Sequence, residues 1–236
     1  MITRPRPGPR RPGRASAGQT RVALMAAGVT MSGAFLTAYR RWHQRWGATD
    51  EEVAMALPGD DLLPVAEFNP TRAITIDARP EEVWPWIVQI GYGRAGFYAY
   101  DLLDNLGRPS AERILPELQA PQVGDWIPMS PTINDTTAFR VTAFEPDRWM
   151  LWSKPDSTWC WSLRPIADGR TRLVSRIRMK YAWRTPAVLV SLFLMEIGDF
   201  FMNRRELLGI RRRAEALATG RGPAPTVGSS APVVAA

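Results

Sequence analysis

Four polar side chains recur near the C-terminal end of the chain at spacings that could place them on one helix face. Glu196, Asp199, Asn203 and Glu206 are three, four and three residues apart, and residues at these separations share a face. If that face meets a cavity, Glu196 and Asp199 are buried carboxyls with raised pKa values and acid/base competence. If it meets water, it is the polar side of an amphipathic helix. The second interpretation is favoured, except for Glu196, which ends an apolar run from Ala187.

Aromatic side chains supply the second kind of chemistry, the binding of apolar surface. Seven of the ten Trp residues fall between residues 84 and 161, and each such ring can bury a large apolar area in a core or a lined pocket. Core packing is the alternative for each ring. The predicted ligand-binding residues are Trp86, Tyr98, Trp126, Trp152, Trp159, Trp161 and Met179, with Gln89, Tyr100, Arg113 and Glu196 as polar selectors.

Several other chemistries are disfavoured by the residues present. With one Cys, Cys160, and one His, His43, the chain cannot form an internal disulfide and lacks the ligands of a Cys/His zinc site. His43 precedes the predicted folded body, which argues against a Ser-His-Asp arrangement. Gly91-x-Gly93-x-x-Gly96 matches the dinucleotide fingerprint, but it follows a predicted helix instead of a strand. No metal and no cofactor are therefore expected.

The positive charge is confined to one end of the chain. Residues 1–45 contain nine Arg and no acidic residue, whereas the remainder carries 21 basic and 23 acidic residues. A nearly neutral body lacks the dense basic face with which proteins bind nucleic acid. A nucleic-acid partner is therefore not expected.

Composition divides the chain into five segments. We predict a disordered basic arm at 1–21, a transmembrane helix at 22–39, a linker at 40–65, a folded body at 66–217 and a disordered tail at 218–236. The second segment has 18 residues without a charge, enough for about 27 Å of helix against a bilayer core of about 30 Å. A signal peptide and a soluble helix are the alternatives. More Arg residues precede the segment than follow it, which favours an extracytoplasmic body.

The body is predicted to be α+β. Alternating apolar residues indicate strands, and the clearest alternates Leu173 and Ile177 with a basic stripe that includes Arg172 and Arg176, for which a solvated sheet face is favoured. Short helices are predicted to begin at Pro80 and to run from Tyr100 to Leu106, and a long one runs from Thr185 to about Leu217. The predicted strands are Arg72 to Asp77, Thr137 to Phe144, Trp149 to Ser153, Thr158 to Arg164 and Thr171 to Tyr181.

This order of elements and several short sequence segments resemble a known superfamily. The segments ITIDARPEEVWPWIVQIG, GRAGFYAYDLLDNLG, RILPELQ and VGDW are similar to the SRPBCC (START-like) superfamily, in particular to membrane-anchored bacterial members of the polyketide cyclase/dehydrase type. The resemblance covers about residues 66–215. It implies a helix-grip fold, a curved antiparallel sheet around the long C-terminal helix with a cavity for a hydrophobic molecule, here preceded by an N-terminal hydrophobic helix.

Three functional hypotheses follow. The first is a membrane-tethered binding or carrier protein for a hydrophobic small molecule or lipid. The second is a cyclase- or dehydratase-like enzyme with Glu196 or Asp199 as base and Tyr98 or Tyr100 as proton donor. The third is a protein-interaction module whose cavity is filled by side chains.

Overall fold

The computed structural model describes residues 37–181, 183, 188, 192 and 194–220. The chain divides into two compact units, Met1–Arg41 and Trp42–Ala236. In the first unit, the described residues 37–41 are helical. The predicted basic arm, nearly all of the predicted transmembrane segment and most of the predicted tail lie outside the described residues. Within the described part of the chain, no helix combines the length and apolarity needed to cross a bilayer.

The second unit is built on one six-stranded antiparallel sheet with the strand order β1-β6-β5-β4-β3-β2. Each predicted strand is present, with ends shifted by no more than two residues, and β2 is an additional short strand that pairs with β3. The strands are β1 Thr71–Ile76, β2 Trp126–Pro128, β3 Ala138–Glu145, β4 Trp149–Lys154, β5 Ser157–Ile166 and β6 Arg170–Met179.

Helices connect and flank the sheet. The longest, α4, follows a π-helical turn, Leu194–Gly198. Residues 188 and 192 are also helical, whereas the predicted start of this helix near Thr185 lies outside the described residues. The helices whose two ends are described are α1 Asp50–Ala54, α2 Pro80–Val88, α3 Asp101–Asp104 and α4 Asp199–Ala218, and 3₁₀ turns occupy Pro116–Leu118 and Ala167–Gly169.

The main core lies between the inner face of the sheet and the helices α2 and α4. Trp152 and Trp161 are fully buried there, together with Leu207 and Ile210 of α4. Because side chains alternate across a strand, Met150, Trp152, Trp159 and Trp161 all belong to this core. The α+β class and the antiparallel sheet with a C-terminal helix agree with a helix-grip arrangement.

The outer face of the sheet is covered by the segment that was expected to be a linker. Leu57 packs there against Leu151, Cys160 and Val174 in a second apolar cluster. The preceding helix α1 begins at a capping box in which Thr49 is the N-cap residue. The segment therefore belongs to the folded unit instead of connecting two parts of the chain.

The basic stripe of β6 is correspondingly not a solvated face. Arg172 donates to Glu52 of α1 at 2.7 Å, and Arg176 donates to Asp60 at 2.6 Å; both Glu52 and Arg176 are buried. Burial of Glu52 opposes its ionisation, but hydrogen bonds from the Arg172 side chain and the Thr49 backbone, with the charges of Arg172 and Arg164, lower its pKa to about 2. Charge pairing thus fastens α1 to the sheet.

Candidate ligand-binding cavity

A cavity of about 710 Å³ lies between the sheet, the segment leading into α3 and the N-terminal half of α4. Its apolar wall combines aromatic rings, methionines and leucines from all three regions. The described lining residues are Phe97, Ala99, Tyr100, Leu103, Asp104, Met129, Trp159, Leu194, Met195, Gly198, Asp199, Phe201, Met202, Asn203 and Glu206. The helix-grip resemblance predicts a space at this position, and the described side chains do not fill it.

The polar face of the C-terminal helix meets this cavity, contrary to the favoured solvent-facing interpretation. Asp199, Asn203 and Glu206 line the cavity, and both Asn203 and Glu206 are only 2% exposed. Glu196, the expected exception, is absent from the lining. It lies in the π-helical turn, whose i→i+5 hydrogen bonds widen the turn and rotate it out of register with α4.

Asp199 is held by a buried arginine on β1. Arg72 Nη1 donates to Asp199 Oδ2 at 2.6 Å and to Asn203 Oδ1 at 3.2 Å, while its Nε donates to the His43 backbone carbonyl at 2.9 Å. Arg72 is fully buried, so its charge needs such a partner. The charge of Asp199 is thereby balanced, which weakens its candidacy as a catalytic base.

Glu206 is a cavity carboxyl with one hydrogen-bond partner among the described residues. Its Oε2 accepts from Asn203 Nδ2 at 3.2 Å, whereas its Oε1 is buried and makes no hydrogen bond within the described part of the chain. Burial raises the pKa of Glu206 well above its usual range; the hydrogen bond from Asn203 opposes this rise, and the neighbouring Asp104 and Asp199 add to it. Burial and the neighbouring carboxyls therefore favour the protonated form of this side chain.

Asp104 adds a second such group at the end of α3. Its Oδ2 accepts from the Tyr100 backbone N–H at 3.0 Å, and its Oδ1 has no partner among the described residues. Burial, with the charge of Asp101, raises the pKa of Asp104. The cavity thus has one acidic end and an otherwise apolar wall.

Trp159 is fixed in the cavity wall by the same polar network. Its indole N–H donates to Ser175 Oγ at 2.9 Å, and Asn203 Nδ2 lies 3.5 Å from the same oxygen. The ring also stacks on Trp161, with centroids 4.9 Å apart. A tryptophan held on both its edge and its face offers a rigid apolar surface.

The structure brings only part of the predicted site together. Tyr100, Trp159 and Asp199 line the cavity. Trp152 and Trp161 are wholly buried in the core behind it. Three further predicted residues lie elsewhere and do not belong to the described lining. Trp86 is buried against Tyr98, Trp126 stacks under Arg140, and Met179 pairs with Phe68 at the end of β6.

The predicted polar selectors Gln89 and Arg113 and the predicted lining residue Tyr98 form a separate structural cluster. Gln89 Nε2 donates to Tyr98 Oη at 2.9 Å and to the Arg113 carbonyl at 3.1 Å, and its Oε1 accepts from Leu115 N at 2.9 Å. Tyr98 Oη donates to the Trp86 carbonyl at 3.1 Å, and burial raises the pKa of Tyr98. Tyr98 also borders a more polar cleft of about 450 Å³ on the other side of α4.

Glu196 joins a cluster around the only histidine. Tyr181 Oη donates to Glu196 Oε1 at 3.0 Å, and Gln44 and His43 lie 3.3 and 3.4 Å from Oε2. His43 is fully buried. The expectation that this histidine precedes the folded body is therefore wrong, because the chain around it packs under the start of the C-terminal helix.

Sequence reasoning missed two residues that the geometry makes prominent, Glu206 and Asp104. Glu206 was recognised as a member of the polar face but was not selected, because its burial depends on where α4 docks. Asp104 closes a four-residue helix, and no periodic signal distinguishes its side chain from a solvent-facing one. The apolar Leu102 and Leu103 immediately before Asp104 were the only available hint.

No protein-family model and no curated protein matches this chain. Several solved structures are similar to it. The Polyketide_cyc-like protein Cgl2372 from Corynebacterium glutamicum is 21% identical over 63% of this chain and 92% of that one, with a TM-score of 0.33. The KanY protein is 12% identical, with coverages of 64% and 99% and a TM-score of 0.40. The HSP90 activator PFC0360w from Plasmodium falciparum is 15% identical, with coverages of 60% and 96% and a TM-score of 0.36. Similarities this low assign no function to this chain. The functional proposal therefore rests on the cavity.

Proposed function

We propose that this protein binds a hydrophobic small molecule or lipid in the cavity between the sheet and α4. The observation that carries the proposal is the unfilled space itself, about 710 Å³ with a mainly apolar wall. Small-molecule sites typically enclose about 300–1,000 Å³ and combine apolar walls with a few polar groups. The unfilled space favours this proposal over a protein-interaction module whose cavity is filled by side chains.

The wall is suited to an apolar guest for a physical reason. Phe97, Trp159 and Phe201 present aromatic surface, and Met129, Met195 and Met202 present flexible thioethers. Rigid rings provide apolar contact area, while methionines adapt to the outline of the guest. Burial of apolar surface contributes about 25 cal/mol per Å², so a guest that covers much of this wall can bind without any ionic contact.

A cavity-filling variant tests the proposal. The purified full chain is titrated with the neutral dye N-phenyl-1-naphthylamine. In addition, an organic extract of the untreated protein is analysed by mass spectrometry for molecules that co-purify with it. Ala99→Trp places an indole in the lining and is expected to weaken dye binding at least about tenfold. The matched control is Ala120→Trp, at an exposed position outside the lining. Equal binding by both variants would contradict the proposal.

The same proposal includes tethering to a membrane through residues 22–39. It is supported by the uncharged 18-residue stretch between Arg21 and Arg40, and the excess of preceding Arg residues favours an extracytoplasmic body. Val29→Arg, in the middle of the stretch, is expected to release the full-length chain from carbonate-washed membranes. Ser16→Arg, in the basic arm, serves as the control and is expected to remain bound. Release of both proteins, or of the unaltered chain, would refute the tether.

A cyclase- or dehydratase-like activity is the second candidate, and the buried Glu206 favours it. A carboxyl that stays protonated in an apolar site can act as a general acid. Asp199 and Tyr100 line the same cavity, whereas Glu196 and Tyr98 are engaged elsewhere. If a substrate is found, the rate is expected to fall as pH rises through a raised apparent pKa. Glu206→Gln is expected to remove this pH dependence. A profile unchanged by this substitution would exclude that role.

A further inference from the structure

We infer that the cavity selects apolar molecules that carry an uncharged hydrogen-bond acceptor, such as a ketone carbonyl, over molecules that carry a carboxylate or an ammonium group. This inference rests on the proposed binding function and specifies the class of ligand for the same site.

The first step in the inference is the charge of the lining. Three carboxyl groups, those of Asp104, Asp199 and Glu206, belong to the described lining, and no Lys, Arg or His belongs to it. Arg72 does not belong to this lining; its Nη1 is engaged by Asp199 and Asn203 and its Nε by the His43 carbonyl, while its buried Nη2 has no partner among the described residues. A ligand carboxylate would therefore enter an apolar space beside acidic groups and would find no cation among these described residues. Such an unpaired buried charge is strongly unfavourable.

The second step is the unsatisfied hydrogen-bonding capacity of Glu206. Its Oε2 is used by Asn203, which leaves Oε1 as the oxygen that carries the proton. This oxygen is buried and without a partner in the described part of the chain. A buried polar group left unpaired destabilises the folded protein. A ligand acceptor that reaches this proton after a small rotation of the carboxyl would recover that energy.

The third step separates neutral acceptors from cations. Ionisation of Glu206 is opposed by burial and by the nearby Asp104 and Asp199, and Arg72 only partly offsets this. An ammonium ligand would have to ionise the carboxyl against that cost, whereas a carbonyl accepts a hydrogen bond from the protonated form that burial favours. The neighbouring Asp104, with its own unpartnered Oδ1, is a second potential donor at the same end of the cavity.

The experiment uses four anthracenes with one skeleton and different substituents at position 2. The ethyl, acetyl, carboxylate and aminomethyl compounds are titrated into the full-length protein at pH 7 by calorimetry. We expect the acetyl compound to bind about tenfold tighter than the ethyl compound, and at least about tenfold tighter than either charged compound. Tighter binding of the carboxylate or the amine would overturn the inference while leaving the proposed function intact.

Two variants assign the effect to Glu206. Glu206→Leu is expected to lower acetyl binding about tenfold and to change ethyl binding less than about twofold. Glu117→Gln, at an exposed position outside the cavity, should change neither. The carbonyl stretch of bound acetylanthracene should also move to lower wavenumber in the unaltered protein, a readout that does not need the variant to fold. An unshifted stretch would overturn the inference, and failure of all four compounds to bind would instead overturn the proposed function.

Discussion

Arg72 and Asp199 form a buried ion pair that joins the first strand to the cavity helix, with Nη1 and Oδ2 2.6 Å apart across 127 residues of sequence. The pair orders the acidic end of the cavity. The positive charge of Arg72 balances the negative charge of Asp199, the residue that the sequence suggested as a base. Arg72 also orients Asn203 through a second hydrogen bond, and Asn203 in turn donates to Glu206. The groups available to a ligand are therefore those that Arg72 does not occupy.

Removal of the arginine should be strongly destabilising. Arg72→Leu leaves Asp199 without its buried counter-charge, and loss of one partner of a buried pair typically lowers the free energy of unfolding by about 3–5 kcal/mol. Chemical denaturation measures the change. The control Arg148→Leu breaks an exposed pair with Glu145, for which less than about 1 kcal/mol is expected. Similar losses in both variants would mean that the Arg72 pair is not the main tie between β1 and α4.

Glu206→Gln should stabilise the protein near neutral pH. The folded chain raises the pKa of this carboxyl above its ordinary value of 4.5, so the unfolded chain releases the proton first and unfolding becomes more favourable as pH rises above about 4.5. The amide cannot ionise and still accepts from Asn203. We expect a gain in the free energy of unfolding at pH 7 that disappears below about pH 4. A gain independent of pH would have a different origin.

Glu52→Gln should show the opposite pH dependence. Because the folded pKa of Glu52 is lowered to about 2, the ionised form stabilises the protein fully above pH 4.5, and this contribution is lost as pH falls towards 2. The substitution is expected to lower the free energy of unfolding by about 2 kcal/mol at pH 7. It should have little effect near pH 2. If equilibrium denaturation gives equal losses at both pH values, the ion pairs with Arg172 and Arg164 are not the cause.

Gly209→Ala should disturb the contact between α4 and Tyr98. A Cβ at Gly209 would lie 2.3 Å from the Tyr98 carbonyl oxygen, so the helix or the tyrosine segment must move, at a cost of about 1–3 kcal/mol. This outweighs the higher helix propensity of alanine. Gly198→Ala is the matched control, since among the described residues its Cβ would meet only Leu194, at 3.9 Å. A Gly209→Ala protein as stable as the control would show that this approach is not tight in solution.

Local pattern was sufficient for the sheet. Alternation of apolar and polar residues placed β1, β3, β4, β5 and β6 within two residues of their ends, because this period depends only on neighbouring residues in one strand. The same alternation does not indicate which part of the chain covers each face of the sheet. Arg172 and Arg176 alternate as solvent-facing residues do, yet α1 and the chain after it bury them, since Glu52 and Asp60 provide the counter-charges from more than 110 residues away.

The candidate site divides in the same way. The sequence by itself determined that Asp199, Asn203 and Glu206 share a helix face and that aromatic rings dominate the sheet. Only the tertiary structure decided that this face meets a cavity, that a π-helical turn takes Glu196 out of it, and that Arg72 occupies Asp199 and not Glu206. These outcomes depend on contacts between residues far apart in the chain, and a carboxyl's protonation depends on that assembled environment far more than on its neighbours in sequence.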